Sequence, residues 1–272
     1  MRTRAQTMGR HLLLALLSLL VVAPFAWMIT TSLKTLDKVN QAPYLIPAQF
    51  EWGNFAKALT AAPFERYYIN SVVMTVGIVL GHLVCDTLAA YALARLRFPG
   101  RDAIFLGLVA TMLVPAFLTV LPAFDLIIRF GWYNSYAALI LPRLADVFGI
   151  VVLRGFMKSL PIELDEAARL DGANRMQILV RVLLPLCKPA LASVAVFSFL
   201  FAWNDFLWPL LVTGDDQYRT IQLGLSAFTN KYGPYPNYLM AGTVIAATPA
   251  IVIFMYLQRS LVRGLASTGV KE

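Results

Sequence analysis

The side chains able to carry a proton, a metal or a covalent step are few. The two histidines, His11 and His82, are far apart, and Cys85 and Cys187 are the only thiols. That leaves little from which to build a histidine-based metal centre or a nucleophile relay. The only Lys-Ser pair, Lys158-Ser159, has no glycine-rich lead-in, so a phosphate loop is absent from the sequence. Nucleotide hydrolysis, if it powers this protein, must then occur on another chain. What remains is a set of polar residues inside apolar stretches: Asn204 with Asp205, His82 with Asp86, and Arg143 with Asp146. A charge at mid-bilayer costs about 2.5–3.5 kcal/mol on insertion scales, so such groups should face a cavity or a partner. Asn204 and Asp205 are expected to line a pathway or gate. His82 and Asp86, four apart, and Arg143 and Asp146, three apart, are expected to pair along their own helices.

A second group of residues lies in the longest polar run between apolar segments, residues 159–185. Ser159 can cap a helix, Pro161 suits a first turn, and Glu163, Asp165 and Glu166 place negative charge at the positive end of the dipole. Asp165 and Arg169 are spaced to pair on one helix face. Ala167 and Ala168 are small and helix-favouring, Gly172 interrupts, and a second amphipathic run ends where Pro185 limits it. Small residues flanked by carboxylates suit a helix that lies close against another surface.

The elements that must position these groups follow from composition. Of 272 residues, 59% are hydrophobic and 14% charged. One water-soluble core of this length cannot hide so much apolar surface. Apolar runs place six membrane spans near residues 12–33, 68–93, 103–128, 137–156, 189–212 and 239–258, in a single membrane domain covering 1–272. The first is too long for a signal-peptide core and has no small-residue cleavage site, so it reads as an uncleaved span. Gly77 and Gly81, four apart in the second, allow close helix approach. Pro115 and Pro122 should kink the third.

Fifteen of the 23 basic residues fall on one side of this arrangement. They are Arg2, Arg4 and Arg10 before the first span, Arg95, Arg97 and Arg101 after the second, six between Arg154 and Lys188, and Arg259, Arg263 and Lys271 in the tail. The positive-inside rule makes that side cytoplasmic, together with both termini and the 159–185 loop. The net charge of +8 is thus a topology signal and argues against nucleic-acid binding. The two cysteines read as apolar fillers.

The order Glu166-Ala167-Ala168, Asp171-Gly172, Leu184-Pro185 resembles the EAA loop of ABC importer permeases, the cytoplasmic coupling helix that docks into a cleft on the ATPase subunit. Trp203-Asn204-Asp205-Phe206 with Trp208-Pro209-Leu210, Leu153-Arg154-Gly155-Phe156, and Gln258-Arg259-Ser260-Leu261-Val262-Arg263-Gly264 extend the likeness over nearly the whole chain. The chain resembles the second permease of carbohydrate importers related to the maltose and glycerol-3-phosphate systems. That resemblance implies an all-α polytopic permease of six transmembrane helices in the bacterial inner membrane. It would pair with a second permease, two copies of an ABC ATPase and an extracytoplasmic solute-binding protein, to carry a sugar inward. ATP and magnesium would sit on the ATPase, leaving this chain without a cofactor or catalytic role. The docking surface implied is Glu163, Glu166, Ala167, Ala168, Asp171, Gly172, Leu184 and Pro185, with Glu166 making charge contact and Gly172 the bend. Besides a non-transporting membrane scaffold, which would need no polar groups in its spans, two other readings stand beside it. One is an importer for a non-sugar solute. The other is a transporter driven by an ion gradient with His82, Asp86 or Asp205 as coupling group, which inverted hydropathy repeats would support; none is visible.

Overall fold

Leucine- and alanine-rich runs that lack turn residues become long helices here. Some prolines and short polar clusters mark where they break, while Pro24, Pro122 and Pro249 lie within helices. The computed structural model describes residues 4–39, 46–47, 49–231 and 235–269, with side chains at 8–39, 46–47, 49–226 and 235–256. Arg2, Pro43 and Lys271 lie outside the described residues, as do the side chains of Arg4, Lys231, Arg259 and Arg263. All regular structure among the described residues is helical.

In chain order, α1 (Arg4–Ser32) is followed by two short helices, α2 (Leu36–Val39) and α3 (Gly53–Ala61), and by the long α4 (Phe64–Arg95). Next come α5 (Arg101–Thr111), α6 (Ala116–Arg129), α7 (Tyr136–Ile140), a 3-10 turn over Leu141–Arg143, and α8 (Val147–Ser159). The polar run forms α9 (Glu163–Leu170), α10 (Arg175–Gln177), a π-helical stretch Ile178–Leu183 and α11 (Leu184–Leu186). The chain continues through α12 (Lys188–Trp203), α13 (Leu207–Val212), α14 (Ile221–Lys231) and α15 (Pro236–Gly269).

Four helical segments are long and apolar enough to cross a membrane: Met8–Ser32, Phe64–Arg95, Tyr136–Ser159 and Pro236–Tyr256. The number rises to six if each of two bent pairs counts as one span. In the first pair, α5 and α6 meet at 98°, sharper than the kink expected of the third span. Pro115 sits at the break and caps α6, while Pro122 lies inside that helix. In the second, the segment ending at α11 meets α12 at 82°. Pro185 and Pro189 flank that bend, each near the start of a helix where a missing N–H is tolerated. The helix of the fifth apolar run stops at Trp203, and Asn204 and Asp205 occupy the gap before α13.

The chain divides into two compact units. The first comprises residues 1–65 with 223–249. Its apolar α1 window is entirely exposed, as a lipid-facing or partner-facing helix must be. The end of α1 is held by polar contacts: buried Asn54 donates its amide to the carbonyls of Ser32 at 2.9 Å and Lys34 at 2.8 Å, and Lys34 Nζ lies 4.9 Å from the Trp27 ring centre.

The second unit comprises residues 66–222 with 250–272 and holds all but the first two residues of α4. Toward the beginning of α4, Met74 and Ile78 share an apolar cluster with Ile127, Ala138, Leu139, Ala202, Trp208 and Val212. Toward its end, Ala90 and Tyr91 share another with Leu153, Met157, Ile178, Leu179, Leu183, Cys187, Ala190 and Val194. A polar layer containing His82 and Asp86 lies between them. Gly77 and Gly81 face the α7 end and the turn after it. A side chain at Gly77 would press on Ile140, and one at Gly81 would meet the Leu144 backbone at 2.9–3.0 Å.

Candidate coupling segment and intramembrane polar layer

The polar run folds as a helix, a tight turn and a second helical arm. α9 starts at Glu163 without a side-chain cap, and Ser159 instead ends α8, its hydroxyl donating back to the Phe156 carbonyl. Three residues separate Ser159 from the first residue of α9, too far for a cap. The helix closes as a Schellman motif, with Gly172 N–H donating to the Arg169 carbonyl at 3.0 Å and Ala173 N–H to that of Ala168 at 2.9 Å. Gly172 adopts φ +83°, the left-handed conformation such a stop requires. The next arm opens with a reciprocal capping box between Asn174 and Gln177, a signal present in the sequence but overlooked in reading it.

Glu163, Glu166, Ala167, Asp171 and Gly172 are exposed on this segment, and Leu170 is 90% exposed. Ala168 turns inward and packs on the apolar cluster at the end of α4. Leu184, half-buried, and Pro185, exposed, belong to α11, separated from α9 by the second arm.

Asp165 does not pair with Arg169. It is fully buried, and its carboxylate lies 3.8 Å from Nε of buried Arg95, the last residue of α4. The contact is coulombic rather than an aligned hydrogen bond. Arg95 also donates to the Leu160 carbonyl at 3.0 Å. One turn back, the Tyr91 hydroxyl donates to the Arg175 carbonyl at 3.1 Å. The end of α4 therefore holds both arms of the segment. A cleft of about 610 Å³ opens between them, lined by Arg95, Arg97, Asp165, Glu166, Arg169 and Arg175 among others.

Arg154 makes a parallel junction. Its guanidinium donates to the Leu93 carbonyl at 3.2 Å and to Asp102 at 3.1 Å and stacks 3.6 Å from the Phe105 ring centre, joining α8 to α4 and α5.

In the polar layer the local pairs expected from spacing give way to contacts between helices. His82 bonds through Nδ1 to Ser198 Oγ at 2.7 Å and through Nε2 to the Arg143 carbonyl at 2.9 Å, not to Asp86. Asp86 accepts the Asp146 N–H at 2.9 Å at the head of α8, and Gly149 leaves room for its carboxylate. Arg143 pairs with Asp205, not Asp146: Nη1 and Oδ2 are 2.9 Å apart, and the guanidinium lies 5.0 Å and 5.5 Å from the ring centres of Phe201 and Trp208. Asp205 Oδ1 accepts the Trp208 N–H. Neighbouring Asn204 is exposed and donates to the Leu200 carbonyl at 2.8 Å. The physical reason is common to all three pairs. Each helix has turned its polar side chain toward another helix, where a desolvated partner is worth more than an i,i+4 neighbour facing lipid. Spacing alone did not reveal Ser198, Arg95 or Tyr91 as the partners.

Residues 86–267 match the sequence profile described as the binding-protein-dependent transport system inner membrane component. The chain belongs to that family. Membership favours binding-protein-dependent transport over the gradient-driven alternative. Among its relatives, the diacetylchitobiose uptake system permease protein of Streptomyces coelicolor is 32% identical over 255 residues, covering 92% of this chain and 84% of the relative. The sn-glycerol-3-phosphate transport system permease protein of Rhizobium meliloti is 32% identical over 269 residues, covering 95% of each. The arabinooligosaccharides transport system permease protein of Halalkalibacterium halodurans is 34% identical over 226 residues, covering 83% and 81%. The fold is similar to a chain of a bacterial ABC transporter involved in import of the acidic polysaccharide alginate, with TM-score 0.85 and 23% identity over 96% of this chain and 99% of that one.

Proposed function

We propose that this permease is one membrane-spanning half of an ATP-driven importer for a sugar or oligosaccharide. It crosses the bacterial inner membrane six times as one domain, each bent pair counting as a span, with both termini and the 159–185 loop in the cytoplasm. A second permease completes the pathway, two ATPase copies hold ATP and magnesium, and an extracytoplasmic binding protein delivers the solute. The chain itself catalyses nothing and needs no cofactor.

The observation that carries the reading is α9. It presents Glu163, Glu166, Ala167 and the bare Leu170 outward, beyond the apolar helices, while Asp165 and Ala168 anchor it. The helix is fixed on one face and leaves Glu163, Glu166, Ala167 and Leu170 free on the other, as a docking helix must. Glu163, Glu166, Ala167 and Asp171 contact the ATPase, Gly172 sets the turn, and Ala168, Leu184 and Pro185 support that surface from the membrane side. Asn204 and Asp205, in the gap between α12 and α13, line the solute path. A saccharide is favoured because two of the three relatives are named for one, while the third, named for sn-glycerol-3-phosphate, favours a polyol phosphate as second reading.

Affinity purification of this chain from its native membrane tests the proposal. Recovery of an ATPase and a second permease, with the ATPase lost when Glu166 and Gly172 are changed together, is the expected result. Uptake of diacetylchitobiose, an arabino-oligosaccharide and glycerol 3-phosphate by vesicles holding the complex then separates the solute classes. Recovery of the chain alone, with uptake driven by a proton or sodium gradient, would overturn the assignment.

A further inference from the structure

We infer that Arg95 is a positioning residue for energy coupling: its grip on Asp165 and Leu160 makes the coupling segment move as one body with α4. The inference rests on the function proposed above and adds a residue that neither the docking motif nor the pathway contains.

Three observations carry it. Asp165 is fully buried, and Arg95 is its only ion-pair partner among the described residues. A carboxylate in that position is tied to its counter-charge, because separating the pair leaves both buried and uncompensated. Second, Arg95 takes the Leu160 carbonyl immediately ahead of α9, while Tyr91 takes the Arg175 carbonyl just after the Gly172 turn. The two sides of the turn are thus pinned to consecutive turns of one helix. Third, α4 is the helix that carries His82 and Asp86 into the polar layer. There it touches Ser198 on α12, the backbone of Arg143, and the start of α8. A displacement of α9 by a partner is therefore delivered through Arg95 to the helix that contacts the Arg143–Asp205 pair.

The outward face of α9 is untouched by this grip. Glu163, Glu166 and Leu170 are exposed, whereas the grip falls on buried Asp165 and the Leu160 carbonyl, so docking and transmission are separable.

The test uses the complete importer, purified with its ATPase and reconstituted in lipid. The native Cys85 is the reporter, half-buried on α4 between His82 and Asp86. Its reaction with methyl methanethiosulfonate is followed by mass spectrometry of the Cys85 peptide, nucleotide-free and after trapping with ATP and vanadate. In the unaltered importer, trapping changes the rate. Arg95→Ala and Asp165→Asn are expected to keep the ATPase bound within about twofold and still hydrolysing ATP. The trapping-induced change at Cys85 should shrink at least fivefold. The double variant should be no worse than either single one, and Arg95→Lys should restore more than half of the response. Should Arg95→Ala not accumulate in the membrane, the nearly isosteric Asp165→Asn carries the comparison. An unchanged Cys85 response in these variants, or ATPase binding and response lost in proportion, overturns the inference. If the unaltered chain binds no ATPase, it is the proposed function that fails.

Discussion

The Arg143–Asp205 pair gives a prediction whose magnitude can be worked from the structure. The two side chains are 21% and 10% exposed and approach to 2.9 Å, with Phe201 and Trp208 alongside the guanidinium. At an effective dielectric of about 20, opposite charges roughly 4 Å apart attract by about 4 kcal/mol. Most of that offsets desolvation, so the intact pair adds little net stability, whereas removing one partner from a buried pair costs about 3–5 kcal/mol. Partial exposure of Arg143 places this pair at about 3 kcal/mol. Arg143→Met and Asp205→Asn should therefore each destabilise the permease by about that amount, and the double variant by less than either, a coupling of at least about 3 kcal/mol. Reversible unfolding in mixed micelles, followed by tryptophan fluorescence, measures all four corners of the cycle. Trp208, one of five tryptophans, stands beside the pair and contributes to that signal. Costs that simply add, with the double variant near 6 kcal/mol, would refute the claim that these side chains compensate each other (about twice the single cost).

Three further outcomes follow from glycine geometry. Gly172→Ala meets no neighbour within 4 Å but must hold φ +83°, at a cost of about 1–2 kcal/mol. ATPase affinity should fall by roughly 5- to 30-fold at unchanged membrane yield, which a pull-down titration measures. Gly81→Ala would press on the Leu144 backbone and cost about 1–3 kcal/mol, while Gly107→Ala, with open space around it, should leave thermal stability in detergent unchanged or slightly raised.

What the sequence made legible was local. Gly77 and Gly81 announced a close approach because small residues four apart share one helix face, and Leu144 and Ile140 fill that space. Gly172 announced a turn because a stop beyond an alanine-rich helix favours a residue free to take positive φ. Asn204 and Asp205 stood out because polar groups in an apolar run need a reason, and they mark a break between helices rather than a point along one. Which charges meet was not legible. His82, Arg143 and Asp165 each had a plausible neighbour three or four residues away, and each turned to a partner at least 61 residues distant in sequence. Such pairings depend on which helix faces come together, and spacing within one helix carries no information about that. The bend of 98° between α5 and α6 was likewise hidden. A proline permits a kink, but its angle is set by what packs on either side.

The length of α4 has a consequence for the bilayer around it. At about 1.5 Å per residue, its 32 residues reach roughly 48 Å, against a hydrocarbon core of about 30 Å. An upright α4 must extend some 18 Å beyond the lipid tails, and even a tilt of about 20° would shorten its vertical reach by only about 3 Å. The surplus is roughly three helical turns. That surplus is divided between the Phe64 and Arg95 ends, so on the function proposed above the Arg95 end and the segment it holds can clear the hydrocarbon, leaving α9 within reach of a partner that does not enter the membrane.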